Sequence, residues 1–454
     1  MLTRLGLSNV KSWQRIDAMR LAPITGLFGT NSSGKSTLLQ VLLMLKQTAA
    51  STDRAEVLHF GDSRDPVSLG SFRDLVYGHD PALPLSWDLS WRMPAPLNIV
   101  DPETRRAVLS AEAMQLAVTL TGNGGEAPAV AALAYNLGGH RFGLQRVAGA
   151  RSGYELTAEP DTFEFKRARG RPRTSLPPPI KCYGFPDEVR LAYRNAEFVA
   201  DLALAFEQLC DRIFYLGPLR EYPQRRYTWA GSQPRDVGPR GERVIDALLA
   251  ARQRDLRVGR GYRRRRVPLE QLVAHQLSEL GLVAGFEVSP EASGSDIYRA
   301  WVQVRAGGAR ALLTDVGFGV SQVLPVLVLC SYAPEGSILL LEQPEIHLHP
   351  SVQAGLADVL IAAVHHRRLQ IIVESHSEHL LRRLQRRIAE GALAAEDAAL
   401  YFCTAGAEGS ALLGLQLDRF GNIANWPDGF FGDELGELVA TRRAQLVRLA
   451  ESAR

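Results

Sequence analysis

The chain has 454 residues, of which 46% are hydrophobic and 22% charged, with a formal net charge of +3. This balance is typical of a folded globular protein and excludes a disordered chain or a uniformly basic polyanion binder. No apolar run reaches the roughly 18 to 20 residues that span a bilayer, and the N-terminus lacks a secretory pattern. With four scattered cysteines and no CxxC pair, we expect a cytoplasmic protein with reduced thiols and no membrane partner.

The first fifty residues predict strand, loop and helix. "LTRLGLSNVKSW" and "APITGLF" have strand patterns, and "SGKSTLLQVLLMLKQTAA" has the spacing of a long buried helix. Between them lies "GTNSSGKS", a complete G-x-x-x-x-G-K-[ST] motif in the context that a phosphate-binding loop requires. We expect Lys35 to contact the β- and γ-phosphates of a nucleotide and Ser36 to ligand Mg²⁺. The predicted phosphate-binding residues are Gly29, Thr30, Asn31, Ser32, Ser33, Gly34, Lys35, Ser36 and Thr37.

The middle of the chain predicts an antiparallel meander followed by helices. Short alternating runs separated by turn residues extend from about Leu83 to Leu156. A Pro/Arg/Lys-rich connection, "KRARGRPRTSLPPPIK", predicts a surface loop. Helical patterns then appear in "NAEFVADLALAFEQLCDRIFYL", "ERVIDALLAARQR" and "LEQLVAHQLSELGL".

Residues 212–266 contain fifteen arginines and five acidic residues, although the whole chain is nearly neutral. Such an excess is a candidate footprint for DNA or RNA phosphates, with "GYRRRRV" as its peak. A solvated face or a protein-docking surface explains it equally well, because no RNA-binding motif accompanies it. Arg220, in "GPLRE", could instead serve the nucleotide.

The last third alternates helix and strand, as in a parallel sheet with crossover helices. The strand "SILLLE" ends at Glu342, which we expect to support the Mg²⁺. The strand in "IIVESHSEHL" ends before His376, which could reach a γ-phosphate or its attacking water; a structural histidine is the alternative. "HLHP" also suggests zinc, but we do not favour a dedicated site.

About twenty residues before the acidic strand, "TDVGFGVSQVLP" places small residues and a hydroxyl at a helix start. Such a helix N-terminus can bind an anion. In head-to-head ATP-sandwich enzymes a second anion site caps the γ-phosphate bound by the other subunit of a C₂ dimer. We therefore expect Gly319, Ser321 and Gln322 to contact nucleotide; a plain glycine-rich turn is the alternative.

These motifs together resemble the ABC/SMC-type ATPase heads, and most closely the bacterial ATPases similar to overcoming-lysogenization-defect and RecF-like proteins. "YLGPLREYPQRRY" and "GNIANWPDGFFGDEL" resemble a subfamily with a C-terminal domain of unknown function. The resemblance implies ATP and Mg²⁺ as cofactors, ATP-dependent homodimerisation or higher assembly, and a partner effector. The family's topoisomerase–primase-like nuclease domain is expected to be absent, since the 78 residues after His376 show no acidic triad.

The predicted fold is α/β: a P-loop NTPase head of the ABC type with a mixed or parallel core, an N-terminal antiparallel meander and a helical, arginine-rich insertion. The predicted divisions are an N-terminal lobe, a linker with the insertion, a C-terminal lobe with the acidic strand and His376, and a tail of unknown function: 1–160, 161–300, 301–400 and 401–454.

The residue after Glu342 is unusual, because relatives show a second acid where this chain has Gln343. Gln343 and His376 could orient the water, Glu345 could act as the base, or hydrolysis could be very slow. We favour a slow Mg²⁺-dependent ATPase that acts as a nucleotide-gated dimeric switch in bacterial DNA maintenance or antiphage defence. The alternative is a hydrolysis-deficient, ATP-stabilised scaffold that binds nucleic acid or protein; a transporter head fits less well.

Overall fold

The structure is a computed structural model of the chain. It describes residues 1–100, 105, 107–122, 127–147, 153–161, 163–168, 175–259, 266–427, 430, 439–445 and 448. Elements are numbered in chain order over these residues.

Seven described strands form one antiparallel sheet. Inward and outward residues alternate along them, as in "LSWDLSW", where Leu85, Trp87, Leu89 and Trp91 are buried. The strands, in spatial order, are β2 (Trp13–Arg20), β1 (Leu2–Val10), β4 (Leu85–Val100), β5 (Ala107–Thr121), β6 (Ala129–Leu137), β7 (His140–Arg146) and β8 (Tyr154–Glu159). The predicted antiparallel meander is therefore confirmed.

A second sheet contains the strands that carry the motifs. Its spatial order is β19 (Gly409–Gly414), β18 (Ala398–Gly406), β3 (Ile24–Gly29), β17 (Gln370–Glu374), β16 (Ile338–Glu342) and β9 (Ile213–Leu216). The last five strands are mutually parallel, and β19 is antiparallel to β18. Because β17 lies between β3 and β16, the carboxyl ends of all three strands meet at one edge.

Helices cover both faces of this mixed sheet. The described α-helices are α1 (Lys35–Ala50), α2 (Phe72–Leu75), α3 (Asp187–Ala192), α4 (Val199–Asp211), α5 (Val244–Gln253), α6 (Leu269–Glu279), α7 (Phe318–Tyr332), α8 (Pro350–Arg367) and α9 (Glu378–Ala389). Single 3₁₀ turns occupy Tyr77–His79, Leu313–Asp315 and Ala395–Asp397.

The continuous apolar run of β16 follows from burial on both faces. Ile338 and Leu340 pack in the core that contains α1 and the antiparallel sheet, whereas Leu339 and Leu341 pack in the core that contains α7 and α8. A strand buried on both sides has no solvent face, so only its last residue, Glu342, is charged. The fold thus delivers an acid to the edge where β3 ends.

Two smaller sheets complete the described structure. One contains β10 (Tyr227–Thr228), β13 (Gly285–Pro290), β14 (Ile297–Gln303) and β15 (Arg310–Leu312), and the other pairs β11 (Arg257–Val258) with β12 (Val267–Pro268). Among the described helices, none is long and apolar enough to cross a membrane.

Two predictions about the elements need correction. "IFYL" belongs to β9, not to the preceding helix, because Arg212 ends α4 and the next four apolar residues pair with β16. The predicted boundary at residue 400 falls inside β18, which pairs with β3, so the tail begins within the core sheet. Residues 439–445 and 448 of the tail are helical, and residues 169–174 of the basic connection lie outside the described residues.

Candidate functional site

The loop that the sequence predicts to bind phosphate, residues 30–34, joins β3 to α1. Its tip, residues 30–32, is exposed, whereas Ser33 and Lys35 are buried beneath it. The Lys35 ammonium donates to the carbonyl oxygens of Gly29 at 3.2 Å and Thr30 at 2.6 Å. Burial lowers the pKa of Lys35, while Glu374 acts in the opposite direction. The lysine is therefore held under the loop, with its charge facing the position where phosphate would lie.

Glycine is required at both ends of this loop. Gly29 has φ +133°, and a Cβ there would lie 2.0 Å from the carbonyl oxygen of Cys403 in β18. Gly34 has φ +83° and caps α1, with its carbonyl oxygen accepting from Trp13 Nε1 at 3.0 Å. The first turn of α1 therefore presents its backbone N–H groups unobstructed by side-chain caps, as an anion site requires.

Two carboxylates lie side by side at the edge of the sheet. Glu342 and Glu374 are register partners at the ends of β16 and β17, and both are buried. Burial raises the pKa of Glu374, against the lowering effect of the nearby Ser36, Lys35 and Gln343 side chains, and its Oε2 atom has no hydrogen-bond partner among the described residues. Burial and the neighbouring Glu374 raise the pKa of Glu342 to about 7, against hydrogen bonding by Tyr215 and attraction to Arg220.

Sequence reasoning missed Glu374. The sequence predicts Ser36 and Glu342 at the metal, and the structure adds Glu374, whose carboxylate lies close to Ser36. The signal was available, because "QIIVE" is an apolar strand ending in an acid, as "ILLLE" is. What the pattern could not show is that the two strands are neighbours and in the same register.

Gln343 and Glu345 follow the acidic strand but differ in setting. Gln343 has φ +43°, a conformation uncommon outside glycine, and its N–H donates to the carbonyl oxygen of Glu374 at 2.8 Å. Glu345 is buried, and its Oε1 accepts from Ser375 Oγ and His376 N, both at 2.7 Å. Burial raises the pKa of Glu345. The backbone N–H of Gln343 is thus hydrogen-bonded to Glu374, while Glu345 lies under the loop that carries His376.

His376 lies between the phosphate-binding loop and β17. The residue is partly exposed, and its ring lies close to the backbone of Gly29. Burial against the loop and the charge of Lys35 lower its pKa. A neutral imidazole in this place can donate to or accept from a ligand held by the loop.

The glycine-rich segment starts α7 at a distance in sequence from the loop. Gly317 caps the helix, and the Ser321 hydroxyl donates to the carbonyl oxygen of Phe318 at 2.7 Å. Ser321 and Gln322 are buried within their own chain, whereas Gly317 and Phe318 are exposed. The exposed part of the segment is therefore its tip, and Ser321 would have to exchange its internal bond to contact any ligand.

The histidines of "HLHP" have other contacts. His349 Nδ1 accepts from the N–H of Ser351 and so caps α8, and the His347 ring packs against Phe318 with centroids 5.4 Å apart. Within the described part of the chain, no group of three or more His, Cys, Asp or Glu side chains converges on a metal-sized site.

Much of the arginine excess in 212–266 is paired with acids, several of them outside that segment. Arg260 and Arg263 to Arg265 lie outside the described residues, so the peak of the predicted basic patch is not described. The described ion pairs are Arg225–Asp315, Arg226–Glu291, Arg235–Asp211, Arg240–Glu221, Arg252–Glu270 and Arg257–Asp255.

Arg220 differs from these arginines because it is buried. Its side chain is 6% exposed, and none of its three guanidinium nitrogens has a hydrogen-bond partner among the described residues. Burial lowers its pKa to about 10, while Tyr215, Glu342 and Glu345 oppose that shift. A buried charge without a hydrogen-bond partner is unfavourable, so Arg220 is a candidate for binding a ligand.

The residues fit a magnesium nucleotide. A glycine-bounded loop whose amides are uncapped, a buried lysine and a hydroxyl facing a carboxylate form the donor set that a phosphate and Mg²⁺ require. Ser36, Glu374 and Glu342 would hold the metal, directly or through water, and the loop would hold the phosphates.

Two family models match the sequence. Residues 213–382 match a family described as "AAA domain, putative AbiEii toxin, Type IV TA system". Residues 393–440 match "Protein of unknown function (DUF3696)". These matches confirm the resemblance that the motifs carry. Comparison with curated proteins gives no match.

Solved structures of SMC heads cover most of the chain at low identity. An SMC head domain from Thermotoga maritima is 15% identical over 92% of this chain and 99% of that one, with a TM-score of 0.39. An SmcHead bound to the C-winged helix domain of ScpA is 11% identical over 92% and 98%, with a TM-score of 0.44. An Smc head bound to the C-terminal domain of ScpA, derived from Pyrococcus furiosus, is 10% identical over 91% and 96%, also with a TM-score of 0.44.

Proposed function

We propose that this protein binds ATP with Mg²⁺ and hydrolyses it slowly. Its sequence contains an AAA-type ATPase domain of the ABC/SMC-like kind, followed by a region of unknown function. The observation that carries the proposal is the meeting of three motifs at one sheet edge: the loop after β3, Glu342 at the end of β16, and Glu374 at the end of β17 followed by His376.

Each residue contributes a separable part of the proposed chemistry. The loop amides and Lys35 bind the phosphates, and Ser36 with Glu374 and Glu342 holds the metal. Bound Mg²⁺ would neutralise charge on the phosphate oxygens. His376 and Gln343 orient water at the terminal phosphate, and Glu345, with its pKa raised by burial, can accept a proton if the loop frees its carboxylate.

The same arrangement supports a switch that assembles two copies. The exposed tip of α7 has a helix N-terminus without a side-chain cap, and the chain already has one phosphate-binding loop of its own. A second anion site is useful if it closes over the nucleotide of a second copy. We assign to this dimer a role in DNA maintenance or defence through a partner effector, as the motif resemblance implies.

One observation favours the scaffold alternative. Gln343 cannot act as a base, and Glu345 Oε1 is already occupied by Ser375 and His376. If that arrangement persists with nucleotide bound, ATP would hold the assembly together without turnover. If Glu345 is the base, slow hydrolysis and scaffolding therefore differ in whether its carboxylate is released.

The proposal is tested by nucleotide binding and phosphate release. Wild type should bind ATP with Mg²⁺ and release phosphate, whereas Lys35→Ala should bind about 100-fold more weakly, because a charge-assisted contact is lost. Glu374→Gln should lower turnover and its dependence on Mg²⁺.

Lys181→Met is the matched control. Lys181 is also buried and donates to the carbonyl oxygens of Ala49 and Ser51 at the opposite end of α1. This variant should bind nucleotide as wild type does. A wild-type protein that binds neither ATP nor ADP would refute the proposal.

A further inference from the structure

Arg220 lies at the end of a line of charges along the carboxyl edge of the mixed sheet. Lys35 follows β3, Glu374 ends β17, Glu342 ends β16, and Arg220 follows β9. The electrostatic partners keep this order: Lys35 interacts with Glu374, Glu374 with Glu342, and Glu342 with Arg220. Two carboxylates are thus bracketed by a cation on each side.

The guanidinium faces these acids without contacting them. Among the described residues, Arg220 has neither a hydrogen bond nor an ion pair to Glu342 or Glu345, although both interact with it electrostatically. The Oε2 atom of Glu345 is also buried and without a hydrogen-bond partner. An arginine offers five N–H donors in a planar fork, and burial makes leaving all of them unused expensive.

The loop that carries Arg220 is held in place. The N–H of Gly217 donates to the carbonyl oxygen of Pro239, and that of Glu221 to the carbonyl oxygen of Arg240, both at 2.8 Å. On either side of the buried Arg220, Leu219 is exposed and Glu221 is half-buried. The orientation of the guanidinium is therefore built into the fold and needs no ligand to establish it.

A triphosphate held by the loop would extend toward this guanidinium. β3 and β9 are three strand spacings apart, roughly 14 Å, a gap that two long cationic side chains and a phosphate between them can fill. In a triphosphate bound in this way, the terminal phosphate would lie beyond the β-phosphate, on the side of β16. ADP lacks it.

We propose that Arg220 is a second cationic anchor for the terminal phosphate of the nucleotide, opposite Lys35, and that it makes the site distinguish ATP from ADP. The inference rests on the proposed ATP binding and deepens it. Lys35 contacts both nucleotides through the β-phosphate, whereas Arg220 contacts only the one that carries a third phosphate. Bidentate binding by the fork would give a partner to two of its five unused N–H donors.

Calorimetric titration tests the anchor role of Arg220. Wild type, Arg220→Met and Arg220→Lys are each titrated with Mg²⁺–ADP and with the Mg²⁺ complex of the β,γ-imido analogue of ATP. Arg220→Met should bind the analogue about 10- to 100-fold more weakly than wild type and bind ADP unchanged. Arg220→Lys, which keeps the charge but not the fork, should give an intermediate loss.

Arg225→Met is the matched control. Arg225 lies five residues from Arg220 and pairs with Asp315, and its side chain is 68% exposed. The Arg225→Met protein should therefore bind both nucleotides as wild type does.

The outcomes separate this inference from the proposed function. If wild type binds neither nucleotide, the proposed function fails. If wild type binds both and Arg220→Met retains its preference for the analogue, only the anchor role of Arg220 is overturned. Equal loss of both nucleotides in Arg220→Met and Arg220→Lys would also overturn it, because the side chain would then be supporting the fold.

Discussion

Two glutamates with the same local sequence occupy different places in the site. Glu342 and Glu374 each end a buried strand, yet Glu374 contacts Ser36 and Gln343, whereas Glu342 contacts Tyr215 and faces Arg220. The difference comes from strand order, because β17 lies beside the loop strand and β16 one place farther away. The acid nearer the loop is therefore the one contributed by the strand that follows later in the chain.

Replacing Gln343 by glutamate should increase ATP turnover. The residue directly follows Glu342, and its N–H donates to the carbonyl oxygen of Glu374, so a carboxylate there would lie at the edge of the sheet and could accept the proton that an amide cannot. Gaining a general base is worth about 10²- to 10⁴-fold, and we expect Gln343→Glu to fall within that range unless Glu345 already serves. The measurement is steady-state phosphate release.

Glu345→Gln identifies which residue serves as the base. If wild type turns over and Glu345→Gln abolishes this, Glu345 is the base and Gln343→Glu should add little. If Gln343→Glu turns over and wild type does not, the protein is a scaffold whose catalytic residue has been replaced. An unchanged rate in both variants would contradict each of these assignments.

At the scale of elements, hydrophobic periodicity predicted the helices and strands that depend on residues close in sequence. It missed those that depend on pairing with distant strands. The buried helix after the loop, the meander and the alternation near "SILLLE" were readable because each pattern is local. The tetrapeptide "IFYL" was not, since its apolar spacing continues that of α4 and only pairing with β16 makes it a strand. Likewise, the tail sequence does not show that β18 pairs with β3. The sequence around Arg220 does not show that this residue is buried.

The tail packs on the strand that precedes the phosphate-binding loop. Phe430 is buried, with ring centroids 4.5 Å from Phe402, 4.8 Å from Trp426 and 6.1 Å from Phe28. Phe28 is the residue immediately before Gly29. The region that matches the family of unknown function is therefore part of the support for the loop.

We expect Phe430→Ala to lower the free energy of unfolding by about 3 kcal/mol, because truncating a buried phenylalanine removes its packing and leaves a cavity. Guanidinium titration monitored by tryptophan fluorescence measures the change. Phe420→Ala, at a position 60% exposed in the same region, should change it by less than about 0.5 kcal/mol. Similar destabilisation by the two variants would show that the Phe430 cluster is not a specific support.

At the scale of the whole molecule, the described surface does not concentrate positive charge as the composition suggests. Arg225, Arg226 and Arg252 of the arginine-rich segment pair with acids contributed by later residues. Each such pair uses a guanidinium that would otherwise be available to a phosphate backbone. A nucleic-acid surface in 212–266 would thus depend on exposed arginines outside these ion pairs, such as Arg243 and Arg266, and on those outside the described residues.

Association of two copies is the property on which the proposed switch depends, and Gly317 allows it to be tested without disturbing the single chain. Gly317 caps α7 with φ −56°, and a Cβ there would meet nothing within 4 Å. A glutamate fits this position and favours the helix N-terminus by about 0.3 to 1 kcal/mol. The same carboxylate would repel a triphosphate brought by a second copy.

Sedimentation velocity should therefore show that wild type doubles in mass with the Mg²⁺ complex of the β,γ-imido analogue and stays single with Mg²⁺–ADP. Gly317→Glu should associate at least about 10-fold more weakly, because like charges brought together cost several kcal/mol. It should still bind the analogue, because its own loop is unchanged. Gly317→Gln has the same size without the charge and should associate nearly as wild type does.

If Gly317→Glu associates as readily as Gly317→Gln, the tip of α7 does not cover a partner's phosphates. If the analogue leaves the mass of wild type unaltered, nucleotide does not gate assembly at all.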